Sequence, residues 1–507
     1  MFLVDGSVIM KKLYMIGMDS VPLWILEELK NEKGMEIFSK MLGEKSLVDM
    51  ESTLPPMTGP AWPSIYTGLG PGKHGVPDFF VMKDDYTPDI VYYDSNGVPP
   101  FWKSLAQSGI QCLVITPATV IQLPDYNNID MITGFPLPSR TNSRELEKLM
   151  KKHRFAGEPD IEMDIKSGKM TEKEAVGHFI TSIKSRIAIA KDMMSKKDYG
   201  FVYVCFTETD RLQHFVTGKK NWREYLLPIY REIASFVNYA STLADKEGSA
   251  LIVVSDHGAQ PIKSKFLINS WLTSKGYVKL KDSFAKSVVK KEKQGASYNF
   301  REMLLKTKLR RIYDKMPHPV KKAAFRALGS AFSSGAGGNY VRMHLFDFDM
   351  KETSAFAAIA NEPVSSIWIN DDRFSSGSVG KTQRNKLMQK LILDLKSIRS
   401  LEGDKLIVNI FDGKTYYGGT GKFVAPDLFV EAKKGYTIDL FYYSSISNFM
   451  DPEGAKSGDH IRKGIFGYYP ASLRIKTQEM SVLDVAPTIL NYFGKKANMQ
   501  REVKKKL

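Results

Sequence analysis

Two short stretches of the chain combine a carboxylate with an imidazole directly after an apolar run. In "TETDRLQH", which follows "FVYVCF", Asp210 and His214 lie four residues apart. Residues i and i+4 share one face of a helix, so both side chains would point to one place, and this pair is part of a zinc or manganese ligand set. In "LIVVSDHG", Asp256 and His257 are adjacent. Burying such a pair is costly unless it is paired or metal-bound, and Gly258 is predicted to supply the turn that lets both reach one ion.

Three further candidates lie elsewhere in the chain. Asp19 ends the apolar run "KLYMIGMD", and His460 follows Asp459 in "KSGDHIRKG", which is predicted to be a glycine-rich loop. Thr58 lies in "LPPMTGPAWPSIYTG", where four prolines argue against a helix or an interior strand and predict a shaped loop. Three aspartates, three histidines and this hydroxyl suffice for two metal sites. Two divalent cations about 4 Å apart can clamp an in-line phosphoryl displacement, and one of them beside Thr58 would activate a weak nucleophile.

Four short apolar runs have the composition of strands that are buried on both faces of a sheet. They span 12–20, 111–118, 201–210 and 250–258. Helical patterns alternate with them, for example "VPLWILEELKNE", "PPFWKSLAQSG" and the stretch 171–195, and a closing helix "SVLDVAPTILNYFG" with Gly494 as its C-cap ends the pattern. This alternation predicts an α/β fold with a mostly parallel sheet and helices on both faces. Ligands of such sheets gather at the carboxyl ends of strands, where the aspartates at 19, 210 and 256 fall.

The composition is that of a globular protein, with 43% hydrophobic and 25% charged residues. Cys112 and Cys205 lie in apolar runs and are predicted to be reduced core residues, which favours an intracellular protein. The sequence contains no apolar run of about 18 residues and no signal-peptide pattern. We therefore expect a cytoplasmic protein, with peripheral membrane association as an open alternative.

The net charge is +16, and most of the excess lies in one region. Residues 281–326 contain fourteen Lys and Arg against four Asp and Glu. We predict that 276–345 is a basic helical insertion, a lid or a docking segment, on a catalytic core formed by 1–275 and 346–507. A basic surface suits an anionic partner, so 281–326 is a candidate for contact with an anionic membrane or a nucleic acid.

The order of these stretches carries a family resemblance. "PPMTGPAWPSIYTG", "PGKHGV", "FTETDRLQH", "VSDHG", "SGDH" and "DVAPTIL" together resemble the alkaline phosphatase superfamily, and within it the type I phosphodiesterase/nucleotide pyrophosphatase-like branch with its predicted phosphohydrolases and phosphomutases. The resemblance covers nearly the whole chain and is weakest over 276–345. It implies an alkaline-phosphatase-like fold and a metal-dependent hydrolase whose substrate is a phosphorylated small molecule or a nucleotide-type ester.

The resemblance also implies individual roles. Thr58 would be the nucleophile. Two ligand sets are implied, namely Asp19, Thr58, Asp256 and His257 for one metal ion, and Asp210, His214 and His460 for the other. Zinc suits these mixed carboxylate and imidazole ligands best, and manganese suits them almost as well.

One position departs from the branch. Its phosphodiesterases usually carry an asparagine three residues after the nucleophile, which donates to a phosphate oxygen, and here that position is Ala61. Other groups would then contact the substrate, and the candidates are the backbone N–H of Gly59 and the side chains of Trp62, Lys73 and His74. A phosphomonoesterase would also need a cationic group that binds the non-bridging oxygens, for which Lys73 and Arg211 are the candidates. This departure leaves a phosphomonoesterase or a phosphomutase of the same superfamily as the alternative. A second alternative is a non-catalytic protein that docks on a membrane or a nucleic acid. The threonine argues against a sulfatase, which needs cysteine or serine at that position.

Overall fold

The structure, a computed structural model, describes residues 12–155, 157, 161–283, 347–358, 363–417, 423–440, 448–450, 456–475, 477–495 and 506–507. Most of the predicted basic insertion 276–345, and with it most of 281–326, lies outside the described residues, so the insertion and its docking role stay predictions. Within the ranges given above, no helix is both long enough and apolar enough to cross a membrane.

The described residues form eighteen strands and fourteen α-helices, which alternate through much of the chain. The strands are β1 (Leu13–Met18), β2 (Leu47–Glu51), β3 (Phe80–Met82), β4 (Pro88–Ile90), β5 (Cys112–Ile115), β6 (Ile129–Ile132), β7 (Phe201–Phe206), β8 (Ala250–Val254), β9 (Gly258–Pro261), β10 (Ser264–Leu267), β11 (Ala355–Ala357), β12 (Val364–Ile369), β13 (Ile407–Asp412), β14 (Leu428–Ala432), β15 (Tyr436–Asp439), β16 (Phe449–Met450), β17 (Gly458–Ile461) and β18 (Lys463–Tyr469). The α-helices are α1 (Leu23–Leu29), α2 (Glu36–Gly43), α3 (Thr58–Thr67), α4 (Pro71–His74), α5 (Phe101–Gln107), α6 (Arg144–Lys152), α7 (Glu162–Lys166), α8 (Glu172–Lys196), α9 (Glu208–Val216), α10 (Trp222–Glu247), α11 (Ile268–Ser274), α12 (Lys381–Lys396), α13 (Gly413–Tyr417) and α14 (Val485–Tyr492).

A seven-stranded central sheet has the strand order β2-β18-β8-β1-β7-β5-β6. β1 pairs in parallel with β7 and β8, and β5 pairs in parallel with β7 and β6. β18 runs antiparallel between β8 and β2. The mostly parallel sheet predicted from the sequence is therefore confirmed, and the four predicted apolar runs supply β1, β5, β7 and β8. Because β1 lies between β7 and β8, the carboxyl ends of these three strands lie side by side.

Alternate residues of β1 face two different hydrophobic cores. Tyr14 and Ile16 belong to the core that contains residues of α8 and α10. Leu13 and Met15 belong to the core that contains residues of α3, α5 and α14. Because neighbouring side chains on a strand point to opposite faces, the central sheet is covered on both sides, and both faces of its strands must be apolar.

A third hydrophobic core lies outside the central sheet. It involves the antiparallel sheet β11-β12-β14-β13 and the smaller sheet β15-β10-β16. We refer to these two sheets, together with α11, α12 and α13, as the second lobe.

The predicted loop around Thr58 is wrong, because α3 begins at this residue. Pro60 lies in the first turn, where the backbone N–H groups have no intrahelical acceptor, so its missing donor costs nothing there. Pro63 lies inside the helix and removes one hydrogen bond. At the other end of the chain the C-cap of α14 is Phe493, one residue before the predicted Gly494. Gly494 follows it with a left-handed φ of 70°, which is the position where glycine commonly ends a helix.

Candidate active site

Thr58 is the first residue of α3 and follows the extended residue Met57 (φ −134°, ψ 152°). The free N–H groups of a first helical turn carry the positive end of the helix dipole and favour an anion. Gly59 occupies the next position, and a Cβ there would lie 3.3 Å from the backbone nitrogen of Phe79. Because α3 begins at Thr58, its first turn places the Thr58 hydroxyl and free backbone N–H groups close together, which suits a phosphate group.

Four buried side chains meet at the carboxyl end of the central sheet, and we call them the first cluster. They are Asp19 after β1, Asp256 and His257 after β8, and Thr58, all at most 7% exposed. Thr58 Oγ1 lies 3.4 Å from both Asp19 Oδ1 and His257 Nε2. His257 Nε2 lies 3.5 Å from Asp19 Oδ1 and 3.2 Å from Asp256 Oδ2. Three residues of this cluster have ligand atoms close enough to bind one ion.

The polar atoms of the first cluster fit a cation better than they fit one another. His257 Nδ1 donates to the carbonyl oxygen of Gly258 (3.4 Å), so the lone pair of Nε2 points at the two carboxylates. The backbone N–H of Ser20 donates to Asp256 Oδ1 (3.3 Å). Asp256 Oδ2 is buried and has no hydrogen-bond partner among the described residues. An unsatisfied carboxylate oxygen that faces an imidazole lone pair is the arrangement a divalent metal would satisfy.

The electrostatics of the first cluster point the same way. Burial, together with the charges of Asp256 and Asp210, raises the pKa of Asp19 well above its usual range. Burial raises the pKa of Asp256 to about 7. Burial and the neighbouring His460 lower the pKa of His257 well below its usual range, so this imidazole is neutral. Two crowded carboxylates beside a neutral imidazole lack a positive charge, and a divalent cation would supply it.

A second cluster consists of Asp210, His214 and His460, whose ligand atoms also lie close enough to bind one ion. His460 Nε2 lies 3.0 Å from Asp210 Oδ1 and 3.2 Å from His214 Nε2. The other ring nitrogen of each histidine faces a backbone carbonyl, Pro56 O at 3.0 Å for His460 and Gly458 O at 3.4 Å for His214. Nδ1–H of each ring can therefore donate to a carbonyl, which leaves two Nε2 lone pairs pointing at each other. This arrangement also fits a metal ion.

The two clusters are immediate neighbours, because the His257 and His460 rings lie 4.0 Å apart between centroids. Burial opposes ionisation of Asp210, but the imidazoles of His214 and His460 outweigh it and lower the pKa of this carboxyl well below its usual range. The side chains of Asp210 and His214 are 14% and 16% exposed, whereas those of the first cluster are buried. The second cluster therefore lies on the open side of the site.

The predicted glycine-rich loop around His460 is a strand instead. Strand β17 pairs antiparallel with β9, and this register sets His460 opposite Ala259. The segment around His460 is extended because β9 supplies hydrogen-bond partners for its backbone groups. The "VSDHG" and "SGDH" stretches are thus joined by backbone pairing, which the sequence does not reveal.

The prediction that Gly258 serves as a turn residue is also wrong. This glycine lies in β9, and a Cβ at its position would lie 2.1 Å from the carbonyl oxygen of Lys463. A second glycine, Gly464, meets the Ser255 carbonyl oxygen equally closely, at 2.2 Å from an added Cβ. Close backbone approach, and not a left-handed φ, is what requires glycine beside His257.

Gly258→Ala should therefore lower the free energy of unfolding by about 1–3 kcal/mol and weaken metal binding at the first cluster, because backbone must move beside His257. Urea unfolding and zinc titration measure the two effects. Gly177→Ala is the matched control, since an added Cβ inside α8 meets no atom within 4 Å. Helix propensity predicts that this control is neutral or slightly stabilising. Equal unfolding energies for the two variants would contradict the close-approach argument.

Two of the predicted substrate contacts are buried in the structure. Trp62 is fully buried, and its indole N–H donates to Asp19 Oδ2. His74 is buried, its Nε2 lies 3.0 Å from Ser64 Oγ on α3, and burial lowers its pKa to about 3. This neutral imidazole braces the helix that carries Thr58.

The other predicted contacts stay predictions. Lys73 is exposed on α4. Arg211 is buried, and its guanidinium lies over the Phe135 ring, 4.7 Å from the centroid. Ala61 is fully buried.

The sequence did not indicate that the second lobe holds the segment before Thr58. The backbone N–H of Leu54 donates to the Tyr416 hydroxyl (2.8 Å), and the Tyr417 hydroxyl donates to the carbonyl oxygens of Leu54 (3.4 Å) and Pro77 (3.3 Å). Both tyrosines lie on α13 and are buried. One short helix therefore holds the segment before Thr58, through contacts far apart in sequence.

Tyr416→Phe should lower the free energy of unfolding by about 1–3 kcal/mol, because it leaves the buried N–H of Leu54 without an acceptor. It should also lower kcat, since the chain leading to Thr58 loses one restraint. Urea unfolding and steady-state kinetics measure the two quantities. The matched control is Tyr86→Phe, which removes a 2.7 Å hydrogen bond to Asn370 and should change only stability. An unchanged kcat in Tyr416→Phe would contradict the restraint.

A family model and several solved structures are similar to this chain. The family model described as "Type I phosphodiesterase / nucleotide pyrophosphatase" matches residues 13–329. No curated protein matches the chain significantly.

Among solved structures, phosphonoacetate hydrolase from Sinorhizobium meliloti 1021 in complex with phosphonoacetate is similar, with a TM-score of 0.54, 11% identity and coverage of 97% of this chain and 98% of that one. The same enzyme in complex with phosphonoformate gives a TM-score of 0.52 at 10% identity, with the same coverage. Murine ectonucleotide pyrophosphatase/phosphodiesterase 5 gives a TM-score of 0.46 at 11% identity, over 97% of both chains. The hydrolase similarity supports the predicted alkaline-phosphatase-like fold.

Proposed function

The chain belongs to the type I phosphodiesterase/nucleotide pyrophosphatase family, and from this premise we propose that it is a two-metal phosphodiesterase whose nucleophile is Thr58. The observation that carries the proposal is the position of Thr58 Oγ1, 3.4 Å from Asp19 Oδ1 and from His257 Nε2. A hydroxyl at a helix start that also borders a metal-binding cluster can be activated and can face a phosphate at the same time.

Each cluster would hold one divalent cation. Asp19, Asp256, His257 and Thr58 would hold one, and Asp210, His214 and His460 would hold the other. Zinc suits these mixed ligands, and manganese is the alternative. When bound, the two cations would favour the ionised form of the hydroxyl and neutralise charge that develops on the phosphoryl oxygens and the leaving oxygen.

The residues of the chain then carry out a two-step transfer. Thr58 Oγ, with its proton lost to solvent, attacks phosphorus, and the bond to one alcohol breaks, so that this alcohol leaves and takes up a proton. Thr58 is then joined through phosphorus to the remaining ester group of the substrate. Water attacks this phosphorus in the second step, the bond to Thr58 Oγ breaks, and the Thr58 hydroxyl is restored with release of a phosphomonoester. The Gly59 N–H can donate to a phosphoryl oxygen during both steps. The leaving group would depart on the side of Asp210 and His214, where the site is open.

We propose a phosphodiester of the nucleotide type as the substrate. The supporting fact is the family, and the fact that requires a test is Ala61, which offers no side-chain donor to the phosphate. The first experiment compares bis-p-nitrophenyl phosphate with p-nitrophenyl phosphate, each with Zn²⁺, with Mn²⁺ and with chelator. We expect chelator-sensitive hydrolysis that prefers the diester. A preference for the monoester would replace the proposal by a phosphomonoesterase, and cleavage of neither ester with either metal would favour the mutase or the docking protein.

Metal removal should also destabilise the protein. Without cations, the buried acidic groups of Asp19 and Asp256 lie together without a compensating positive charge. A bound cation stabilises the folded state only, so its removal lowers the free energy of unfolding. At a free zinc concentration 100 to 1,000 times Kd, binding adds about 3–4 kcal/mol per site to the free energy of unfolding. Thermal unfolding with zinc and with chelator measures the effect. The same Tm in both conditions would contradict metal binding at the clusters.

A further inference from the structure

One oxygen of the Asp19 carboxylate is held by an indole. Trp62 Nε1 donates to Asp19 Oδ2 at 3.0 Å, and the tryptophan is fully buried. When a cation is bound in the first cluster, Asp19 is ionised, and a hydrogen bond to an ionised acceptor is stronger than one between neutral groups. The buried setting strengthens this bond further. The occupied Oδ2 leaves Oδ1, which is 3.5 Å from His257 Nε2, to face the rest of the first cluster.

The indole has little freedom to move away from this carboxylate. Gly17 lies two residues before Asp19, and a Cβ there would lie 2.8 Å from Trp62 Cη2. Tyr66 stacks on the Trp62 ring, with centroids 5.7 Å apart and planes 25° apart. Trp62 therefore packs directly on the backbone of β1. Any side chain at position 17 would clash with the indole, so this position requires glycine.

Thr58 and Trp62 lie four residues apart on α3, so they share one face of this helix. Thr58 supplies the hydroxyl of the first cluster, and Trp62 supplies the N–H donor that orients the Asp19 carboxylate of the same cluster. A change in the position of α3 would therefore move Thr58 and the partner of Asp19 together.

We propose that Trp62 is a positioning residue that fixes Asp19 with Oδ2 occupied and Oδ1 available to the first metal ion. The inference rests on the proposed function only in that the first cluster must bind a metal. Groups that orient metal ligands are typically worth about 10- to 100-fold in metal affinity. Trp62→Phe keeps most of the ring packing and removes the N–H, so its effect should fall on metal affinity at the first cluster.

Zinc titration against a chromophoric chelator tests the proposal, with one cluster disabled at a time. In a His214→Ala background, where the first cluster remains, Trp62→Phe should lower zinc affinity about 10- to 100-fold. In an Asp256→Asn background, where the second cluster remains, the same change should leave zinc affinity unaltered. The cobalt absorption spectrum of the first background should change as well, because the carboxylate that meets the ion is free to rotate.

The matched control is Trp368→Phe in the second lobe. Its indole N–H donates to the Val424 carbonyl oxygen at 2.7 Å, and the residue is buried, so the change removes a comparable hydrogen bond that involves no member of either cluster. We expect this control to lower stability without changing zinc affinity in either background. Unchanged zinc affinity in Trp62→Phe, or an equal loss in both backgrounds, would overturn the positioning role. If the His214→Ala parent itself binds no zinc, the proposed function fails at the first cluster, which is a different result.

Discussion

Thr58→Ala should lower kcat by at least about 10³-fold, because the variant has no oxygen to attack phosphorus. Asp19, Asp256 and His257 keep their positions, since Thr58 begins α3 and no packing against the core depends on its hydroxyl. The variant should therefore still bind two metal ions and unfold at nearly the parental temperature. Steady-state kinetics, metal analysis and thermal unfolding measure the three properties on the same preparation.

Thr58→Ser is the matched variant, because it keeps the oxygen and removes only the methyl group. Its activity should fall far less than that of Thr58→Ala, through the greater rotamer freedom of serine. Acid quenching of the parent during turnover should yield a phosphorylated peptide that contains residue 58. Turnover near the parental rate in Thr58→Ala would exclude a covalent route through this residue, and phosphate found on another residue would assign the nucleophile elsewhere.

The regular elements of the catalytic half could be predicted from sequence because their signals are local. Continuous apolar runs indicated β1, β5, β7 and β8, and 3.6-residue periodicity indicated α1, α5 and α8. Proline misled the prediction at Thr58, because a proline in the first turn of a helix and a proline in a loop look alike in sequence. The difference is set by packing against the sheet, which holds α3 in place despite Pro63.

The members of the two clusters could be predicted for a different reason. They follow strands that lie next to one another, so strand order alone brings Asp19, Asp210 and Asp256 together. The strand that carries His460 could not be predicted, since its partner β9 lies about 200 residues away in sequence. The same holds for Trp62 and Tyr416, whose partners are fixed by packing and leave no spacing pattern.

His460→Ala should have the second largest effect, because this side chain belongs to the second cluster and contacts the first. Its Nε2 lies 3.0 Å from Asp210 Oδ1, and its ring lies 4.0 Å from that of His257. Removal leaves Asp210 and His214 as the only predicted ligands of one ion, so bound metal should fall from two equivalents to one. With one cation missing, charge on the leaving oxygen is not neutralised, and kcat should fall by about 10²- to 10³-fold.

His153→Ala is the matched control, because this histidine pairs with Asp192 at 2.8 Å, away from both clusters. It should keep two equivalents of metal and the parental kcat, which excludes a general effect of removing an imidazole. Excess zinc should restore part of the activity of His460→Ala, since the two remaining ligands can still bind an ion weakly. Two tightly bound equivalents in His460→Ala would show that the second cluster does not use this residue. Loss of both equivalents would instead show that the two sites fold and bind as one unit, joined through the contact of His460 with His257.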